Sequence, residues 1–446
     1  MKIVIAGAGE VGSHLAKMLS NENHDIVLID TNEDHLKDVG ANLDVLTFAG
    51  SATSINILQD TGIKKADLFI AVTQSEEINI TSSIIGKRLG AQKTIARIDN
   101  QEYLLPANRE HFTSLGIDYM IYPERIAARE IVGLLQQTGT TEVVDFSGGR
   151  LSLFVIKLDQ SAPIINKTLN ETNSELSEME FRAVAITRNS ETLIPRGDDV
   201  FLPNDQVYVI TNQAGIDDLM KYSGKEKFDV DNIMILGGSR IGKMTAKVLG
   251  GHHNVKLIEA DRSKSYQLSN YLNNTLVING DGRNIDMLMD EGLPKMDAFI
   301  AVTGNSETNM LSCLLANKMG VKRTIAEIEN MDYIPLAENM GIDTVINKKL
   351  ITASRIFRFT MTEEVSTIKC LTGTDAEVME FVVKPESKAV QAKIKDIDFP
   401  DDSIIGGIIR GKNSFIAKGE TEIKPFDRVV VFALPSAIFK VGKYFS

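Results

Sequence analysis

Three glycines, Gly7, Gly9 and Gly12, follow directly on an apolar run that begins at Ile3, and Asp30 closes a second apolar run eighteen residues after Gly12. Strand, tight turn and helix start in that order make a phosphate-binding corner. The first glycine permits the turn, the second lets a pyrophosphate approach the backbone, and the third allows close packing of helix on strand. The helix that follows points free N–H groups at the phosphates. The backbone from Gly7 through Ala8, Gly9 and Glu10 to Val11 is therefore read as a phosphate cradle. Asp30 stands where an acidic side chain accepts hydrogen bonds from adenosine ribose hydroxyls and repels an added 2′-phosphate. The pattern favours NAD(H)-type ligands. The competing reading is a cluster of turn glycines followed by an ordinary capping aspartate.

Elements of matching period surround these residues. A helix is expected over Ser13 to Leu19, with Leu15, Met18 and Leu19 at helical spacing, and strands at Ile3, Ile26 to Ile29, Val45 to Ala49, Leu68 to Val72, Thr94 to Ile98 and Tyr119 to Ile121. Apolar strands alternating with helices predict a mostly parallel sheet covered on both faces. After Pro123, a helix-start signal, the stretch Glu124 to Gln137 reads as amphipathic, with Ile126, Ile131, Leu134 and Leu135 on one side. That side suits its own domain or a partner equally.

Composition narrows the function classes. A chain of 446 residues with 43% hydrophobic residues has room for about three or four domains. Its net charge of -12 argues against a nucleic-acid partner, and it holds no Lys/Arg block of the lipid-binding kind. No apolar run approaches the roughly eighteen residues of a membrane span. The N-terminal apolar run is too short for a signal peptide and is soon broken by Glu10. Cys313 and Cys370, far apart in apolar settings, read as buried thiols. The expected compartment is the cytosol.

The chain repeats itself with an offset near 230 residues. IMILGGSRIG answers IVIAGAGEVG, and Gly50 to Thr73 aligns without gaps to Gly280 to Thr303 with half the positions identical. Glu259 falls near the place of Asp30, TIAEI answers TIARI, and GIDTVI answers GIDYMI. The segments that follow each unit also recur. EVVDF, LSLFVIKL, RAVAITRN and QVYVIT read as strands of a small α+β module, and Pro203 and Asp205 are answered by Pro425 and Asp427. A polar linker, Ser223 to Asp231, separates the halves. The expected architecture is α/β, with two Rossmann-like doubly wound parallel-sheet domains, each followed by a small α+β domain. The expected boundaries are residues 1–138, 139–223, 230–350 and 363–446.

Across nearly its whole length the chain resembles the tandem RCK (KTN) family of peripheral subunits of bacterial Trk potassium-uptake systems. The match is carried by GAGEVG at Gly7, VLID ending at Asp30, the glycine steps at Gly50 and Gly280, the twin FIAVT strands, TIARI, and the duplicated order of domains. The resemblance implies a cytosolic homo-oligomer, a tetrameric ring under a TrkH- or TrkG-type membrane transporter, whose bound NAD/NADH, or ATP/ADP, biases the transporter's gate.

Within that framework Gly50 and Ser51 are expected beside the adenine, with Thr73 and Gln74 facing the crevice at the strand ends and Arg97 on the same rim. Thr73 has an alternative as a structural hydroxyl capping the next helix. For Arg97 the alternative is a surface ion pair, while the resemblance favours bidentate phosphate binding. In the second copy the loop Gly237, Gly238, Ser239, Arg240 and Ile241 replaces the middle glycine by Ser239, whose Cβ is expected to hinder a pyrophosphate. Glu327 stands in place of Arg97 and is expected to repel a triphosphate, with Arg240 as compensation. Glu259, Asp281 and Thr303 complete the second set by alignment. The first site is thus expected to take NAD(H) or ATP/ADP and the second to be weaker or to prefer a less charged dinucleotide.

The loop GGSRIGKM comes near the P-loop pattern, but Met244 occupies the position of the magnesium-binding hydroxyl, which disfavours an NTPase. An NAD-dependent oxidoreductase is the rival class. Hydride transfer to a carbonyl needs a placed acid or base, and the six histidines fit poorly. His24, His252 and His253 fall in expected surface turns, His14 and His35 on helices, and His111 has no counterpart in the second copy. A binding switch accounts for the small modules better than catalysis does. A scaffold with vestigial pockets is a third possibility, better suited to the second site than to the first.

Overall fold

Runs such as IVIA and LFIA, apolar at every position, are stable as strands only where both faces of the sheet are covered. The computed structural model places them at the centre of a parallel sheet; it describes the chain except residues 21–23, 137–141, 176–179, 189–190, 225–227, 361–364, 372–373, 375, 392 and 446. Strands β1 (Lys2–Ala6), β2 (Asp25–Asp30), β3 (Leu46–Ala49), β4 (Leu68–Ala71), β5 (Lys93–Arg97) and β6 (Tyr119–Ile121) lie in the order β3-β2-β1-β4-β5-β6. Ile3, Val4 and Ile5 and the whole of β4 are closed to solvent. The order reverses between β1 and β4, the point at which open parallel sheets form a ligand crevice.

An antiparallel sheet follows, built from β7 (Glu142–Phe146), β8 (Leu151–Lys157), β9 (Phe181–Arg188), β10 (Glu191–Leu193) and β11 (Gln206–Thr211) in the order β10-β9-β11-β8-β7. Both sheets then recur. Strands β12 (Asn232–Leu236), β13 (Asn254–Glu259), β14 (Thr275–Asn279), β15 (Ala298–Ala301), β16 (Arg323–Glu327) and β17 (Thr344–Ile346) repeat the parallel order. Strands β18 (Val365–Cys370), β19 (Glu377–Val382), β20 (Ser403–Arg410), β21 (Asn413–Ile416) and β22 (Arg428–Ala433) repeat the antiparallel one. Cys313 is buried, and burial pushes its thiol pKa up; the Cys370 side chain and Gln137 lie outside the described residues.

The chain divides into two compact units, Met1–Ile126 with Lys348–Thr362, and Ala127–Asn347 with Glu363–Ser446. In the first, the helix Lys348–Phe357 from the second half packs along the helix Glu10–Ser20, Lys349 pairs with Glu10, and Phe359 meets Tyr119 at 4.1 Å between ring centres. The amphipathic helix, observed as Pro123–Gln136, belongs from Ala127 onward to the second unit. Its Ile131, Leu134 and Leu135 are buried.

Within the second unit the two antiparallel sheets share one core. Val144, Leu153, Val184, Tyr208 and Ile210 meet Val378, Ile409, Val430 and Phe432. Two glycines make this close approach possible. A Cβ on Gly406 would lie 2.1 Å from Ile210 Cδ1, and one on Gly407 2.7 Å from Leu151 Cδ1. Arg182 adds a polar tie, donating from Nη1 to the carbonyl oxygen of Ala417 at 2.5 Å.

The recurring Pro-x-Asp turn has a structural explanation. Asp205, 1% exposed, accepts two hydrogen bonds from Arg188, at 2.8 and 2.7 Å, and one from the Leu202 N–H at 2.8 Å. Asp427 accepts the same set from Arg410 and the Lys424 N–H. The residue before each aspartate, Asn204 or Phe426, takes a left-handed conformation, which the buried clamp holds in place. Replacing Asp427 by Ala removes the acceptor shared by the Arg410 guanidinium and the Lys424 N–H, so Asp427→Ala is expected to lower stability by about 2 kcal/mol. Urea unfolding of the full chain checks it; an unchanged midpoint would show that the clamp contributes nothing.

Candidate functional site

The crevice beside β1 begins with a steric constraint. A Cβ on Gly12 would lie 1.8 Å from the carbonyl oxygen of Gly7, so the helix Glu10–Ser20 lies against the turn only because that position is glycine. Gly7 itself has a φ of 108°, and a Cβ there would press on Val72 and Thr73 at 3.0 Å. Gly9 is different: nothing stands within 4 Å of its Cβ direction. That opening, above a helix start whose first N–H groups lack intrahelical acceptors, fits the approach of a phosphate group.

Asp30 ends β2 beside the loop. One carboxylate oxygen accepts the Ala8 N–H at 2.5 Å and the other the Asn32 N–H at 2.8 Å. Each oxygen keeps acceptor capacity for a ribose hydroxyl. Gly50 is joined to this strand end through its N–H to the Asp30 carbonyl, 2.8 Å. Together these elements wall a cavity of about 340 Å³. Gly7, Gly9, Asp30, Gly50, Ser51, Thr73 and Gln74 all line it, while Ala8, Glu10 and Val11 do not. Ala8 contributes its N–H to Asp30, and the Glu10 side chain is paired with Lys349.

Two side chains expected at this site have protein partners. The Thr73 hydroxyl bonds the Asn79 side chain at 2.7 Å, and the cap of the following helix, Glu76–Leu89, is Ser75 instead. Arg97 does not line the cavity; its guanidinium lies 3.6 Å from Asp99, the ion-pair alternative. Two residues escaped the sequence reading. His35, on the helix Glu33–Asn42, is part of the cavity wall. Asn79, 1% exposed, accepts the Thr73 N–H at 2.8 Å and donates to the carbonyls of Thr73 and Arg97 at 3.1 and 3.0 Å. Its signal was present in the repeat, because Asn309 stands at the same offset and makes the same bonds to Thr303 and Glu327.

The second copy keeps the corner and changes the charges. Gly237 has a φ of 102°, and a Cβ on Gly242 would lie 2.0 Å from its carbonyl oxygen. Gly238 donates its N–H to Glu259 at 2.9 Å, as Ala8 does to Asp30. Ser239 occupies the open position and turns its hydroxyl back to cap the helix Arg240–Leu249 through the Gly242 N–H; Ile241 is buried in that helix. Glu259 pairs with Lys264 at 2.9 Å. Burial raises its pKa, but the Asp261 and Gly238 N–H groups and Lys264 outweigh that and hold the carboxyl below its usual range. Asp281 is gripped by Arg283 at 2.7 Å, whose side-chain bonds bring its pKa down to about 2. Glu327 is 3% exposed, so protein atoms enclose the carboxylate expected to repel a triphosphate. Lys243, from the near P-loop, sits 3.9 Å over the Tyr271 ring.

Comparison with known proteins extends these observations. Residues 3–123 and 233–348 match the TrkA-N domain family, and residues 153–224 and 378–446 the TrkA-C domain family. The chain is 34% identical over 447 residues to the Trk system potassium uptake protein TrkA homolog of Archaeoglobus fulgidus, covering 100% of both. It is 30% identical to the Trk system potassium uptake protein TrkA of Halomonas elongata, again over 100% of both chains. Among solved structures it is similar to the GsuK channel bound to NAD, with a TM-score of 0.59 at 17% identity over 100% of this chain and 78% of that one. The crystal structure of the GsuK RCK domain gives 0.59 at 17% identity over 99% and 94%. At that identity the likeness is one of fold.

The buried amide bracing the crevice can be tested apart from any ligand. Asn79→Ala leaves the Thr73 N–H and the Arg97 carbonyl without their partner, and is expected to destabilise by about 2 kcal/mol. Hydrogen exchange at the Thr73 amide reads the local effect; unchanged protection there would refute the bracing role.

Proposed function

The chain belongs to the TrkA family, with TrkA-N and TrkA-C domains each present twice, and from that premise we propose that it is a regulatory subunit of a potassium-uptake system that senses NAD(H), or ATP and ADP, in the crevice at the ends of β1, β2 and β4. The observation that carries this reading is the open approach at Gly9, set in a corner where Gly7 and Gly12 leave no room for a side chain and faced by Asp30. Loop and helix N–H groups hold the phosphates, Asp30 holds the ribose, and Ser51 and Gln74 lie further along the wall. A bound nucleotide supplies negative charge at the helix start and carries the metabolic signal.

The proposed partner is a TrkH- or TrkG-type membrane transporter, with the chain as a homotetrameric ring at the cytoplasmic face. The names of the full-length relatives support a place in potassium uptake, and among the described residues no helix is long and apolar enough to cross a membrane. A regulator works only if its ligand prefers one state. Here the helix whose N-terminus meets the phosphates also carries the helix Lys348–Phe357, so a shift at the loop reaches a helix that the second half contributes to the same unit. The second crevice is the weaker one, because Ser239 fills the approach and both Glu259 and Asp281 are already engaged by cations.

Calorimetric titration of the full chain with NADH, NAD, ATP and ADP tests the assignment. One tight site per chain is expected, weakened at least about tenfold in Asp30→Ala and in Gly9→Asp, or about 1.4 kcal/mol. Gly9→Asp should unfold at close to the wild-type urea concentration, since no protein atom lies within 4 Å of its Cβ position. Unchanged affinity in both variants would remove the nucleotide site from this crevice. Steady oxidation of NADH with simple carbonyl compounds would favour an oxidoreductase instead. Potassium flux through the reconstituted transporter, responsive to nucleotide only with the chain present, completes the test.

A further inference from the structure

The two C-terminal domains share one topology but are not filled alike. In the first, β11 places Val207 opposite Ile156; in the second, β22 places Val429 opposite Phe381. The helices that follow, Ile216–Ser223 and Pro435–Phe445, end on Lys-Tyr-Ser and Lys-Tyr-Phe. Ser223 therefore stands where the second domain has Phe445, and Ile156 where it has Phe381. Phe381 and Phe445 stack at 4.8 Å between ring centres, both fully buried, with Phe399 edge-on to Phe445 at 6.0 Å. Two phenyl rings fill the core of the second domain at this point. With Ile156 and Ser223 in their place, the first domain holds a cavity of about 220 Å³.

The walls of that cavity join apolar side chains, among them Leu158, Leu169, Phe201 and Leu219, to a nearly equal share of polar surface, and Arg182 lies on the wall. Its Nη1 donates to the carbonyl oxygens of Ala417 at 2.5 Å and Ile405 at 3.4 Å. Among the described residues no carboxylate pairs with it. Burial lowers its pKa, with no neighbouring charge to oppose the shift. The same position in the second domain is Ile404, so the fold does not require an arginine here. A largely buried cation without a counter-charge is unfavourable. Beside a cavity with both apolar and polar walls, it is the group that a ligand carboxylate would satisfy, with charge-assisted hydrogen bonds stronger than neutral ones.

We propose that this cavity of the first C-terminal domain binds a small amphipathic monocarboxylate, an aliphatic or aryl acid whose carboxylate meets Arg182 and whose apolar body lies against Leu158, Phe201 and Leu219. Size agrees with that class: an apolar cavity of about 150 Å³ accepts benzene, and this one is larger. The site is separate from the nucleotide crevice. Ile404 of the second antiparallel sheet completes its wall, and Arg182 is tied to the same sheet, so the ligand touches the junction of the two C-terminal domains.

Phenylacetate and 4-methylpentanoate are the probes, titrated into the full chain by calorimetry and thermal shift, with phenylacetamide as the uncharged comparison. At least one acid is expected to bind saturably, with the amide at least about tenfold weaker. Arg182→Met should weaken the acid at least about tenfold, and Ser223→Phe, which supplies the ring of the second domain, should abolish binding while NADH affinity stays unchanged in both. The proposal is overturned if neither acid binds more tightly than about 10 mM, if the amide matches the acid, or if Arg182→Met leaves affinity unchanged. The amide comparison uses the native chain and so decides the matter even where Ser223→Phe fails to fold.

Discussion

The fold of each nucleotide-binding domain depends on one close contact, that of the helix after β1 or β12 with the turn before it. A Cβ at Gly12 or Gly242 would lie 1.8 or 2.0 Å from the carbonyl oxygen of Gly7 or Gly237, well inside any permitted separation. The absence of a side chain sets the distance between helix and sheet, and with it the direction of the helix N-terminus. The rest of the crevice follows from that placement. Ala8 and Gly238, one residue into the turn, are positioned to donate to the carboxylates that end β2 and β13, and Asn79 and Asn309 close the other side by joining the ends of neighbouring strands.

Around the crevice the copies differ in charge and at the open position. The first crevice is lined by Asp30, hydroxyls, amides and His35. In the second, Lys264 and Arg283 engage Glu259 and Asp281, and Ser239 places an atom where Gly9 leaves space. A dinucleotide approaching the second crevice would displace pairs that already satisfy one another, whereas the first offers acceptors still held only by backbone N–H groups. The same fold thus frames two crevices of unlike charge, and the difference lies in a few side chains rather than in topology.

Local signals were legible in the sequence wherever chemistry and backbone conformation coincide. Gly7, Gly12 and Asp30 announce the corner, and apolar runs place β1 to β6 within a residue or so of their observed ends. Side-chain direction was less legible. Arg97 ends a strand on the crevice rim yet turns to Asp99, and the position of His35 on a helix did not reveal which face meets the cavity. Least legible were contacts between distant segments. No local pattern says that Tyr208 packs on Phe432 at 5.5 Å between ring centres, or that Gly406 is glycine because Ile210 needs the space. Such constraints exist only between elements some two hundred residues apart, and a single sequence records them as an unexplained glycine or an ordinary aromatic.

That non-local packing gives the duplication its mechanical meaning. Had each half folded on itself, the two parallel-sheet domains would each be built from one half alone. Instead the helix Lys348–Phe357, encoded in the second half, is part of the first unit, and the two antiparallel sheets are joined through one core. The contact between Lys349 and Glu10 falls on the first turn of the helix Glu10–Ser20, where an added anion changes the local field most. A phosphate at the loop would repel Glu10 and draw on the same helix dipole. A phosphate bound there, as proposed, would shift the balance of that ion pair. The second half of the chain thus contributes a helix to the unit that holds the first crevice, so the duplication is not two halves each folded on itself.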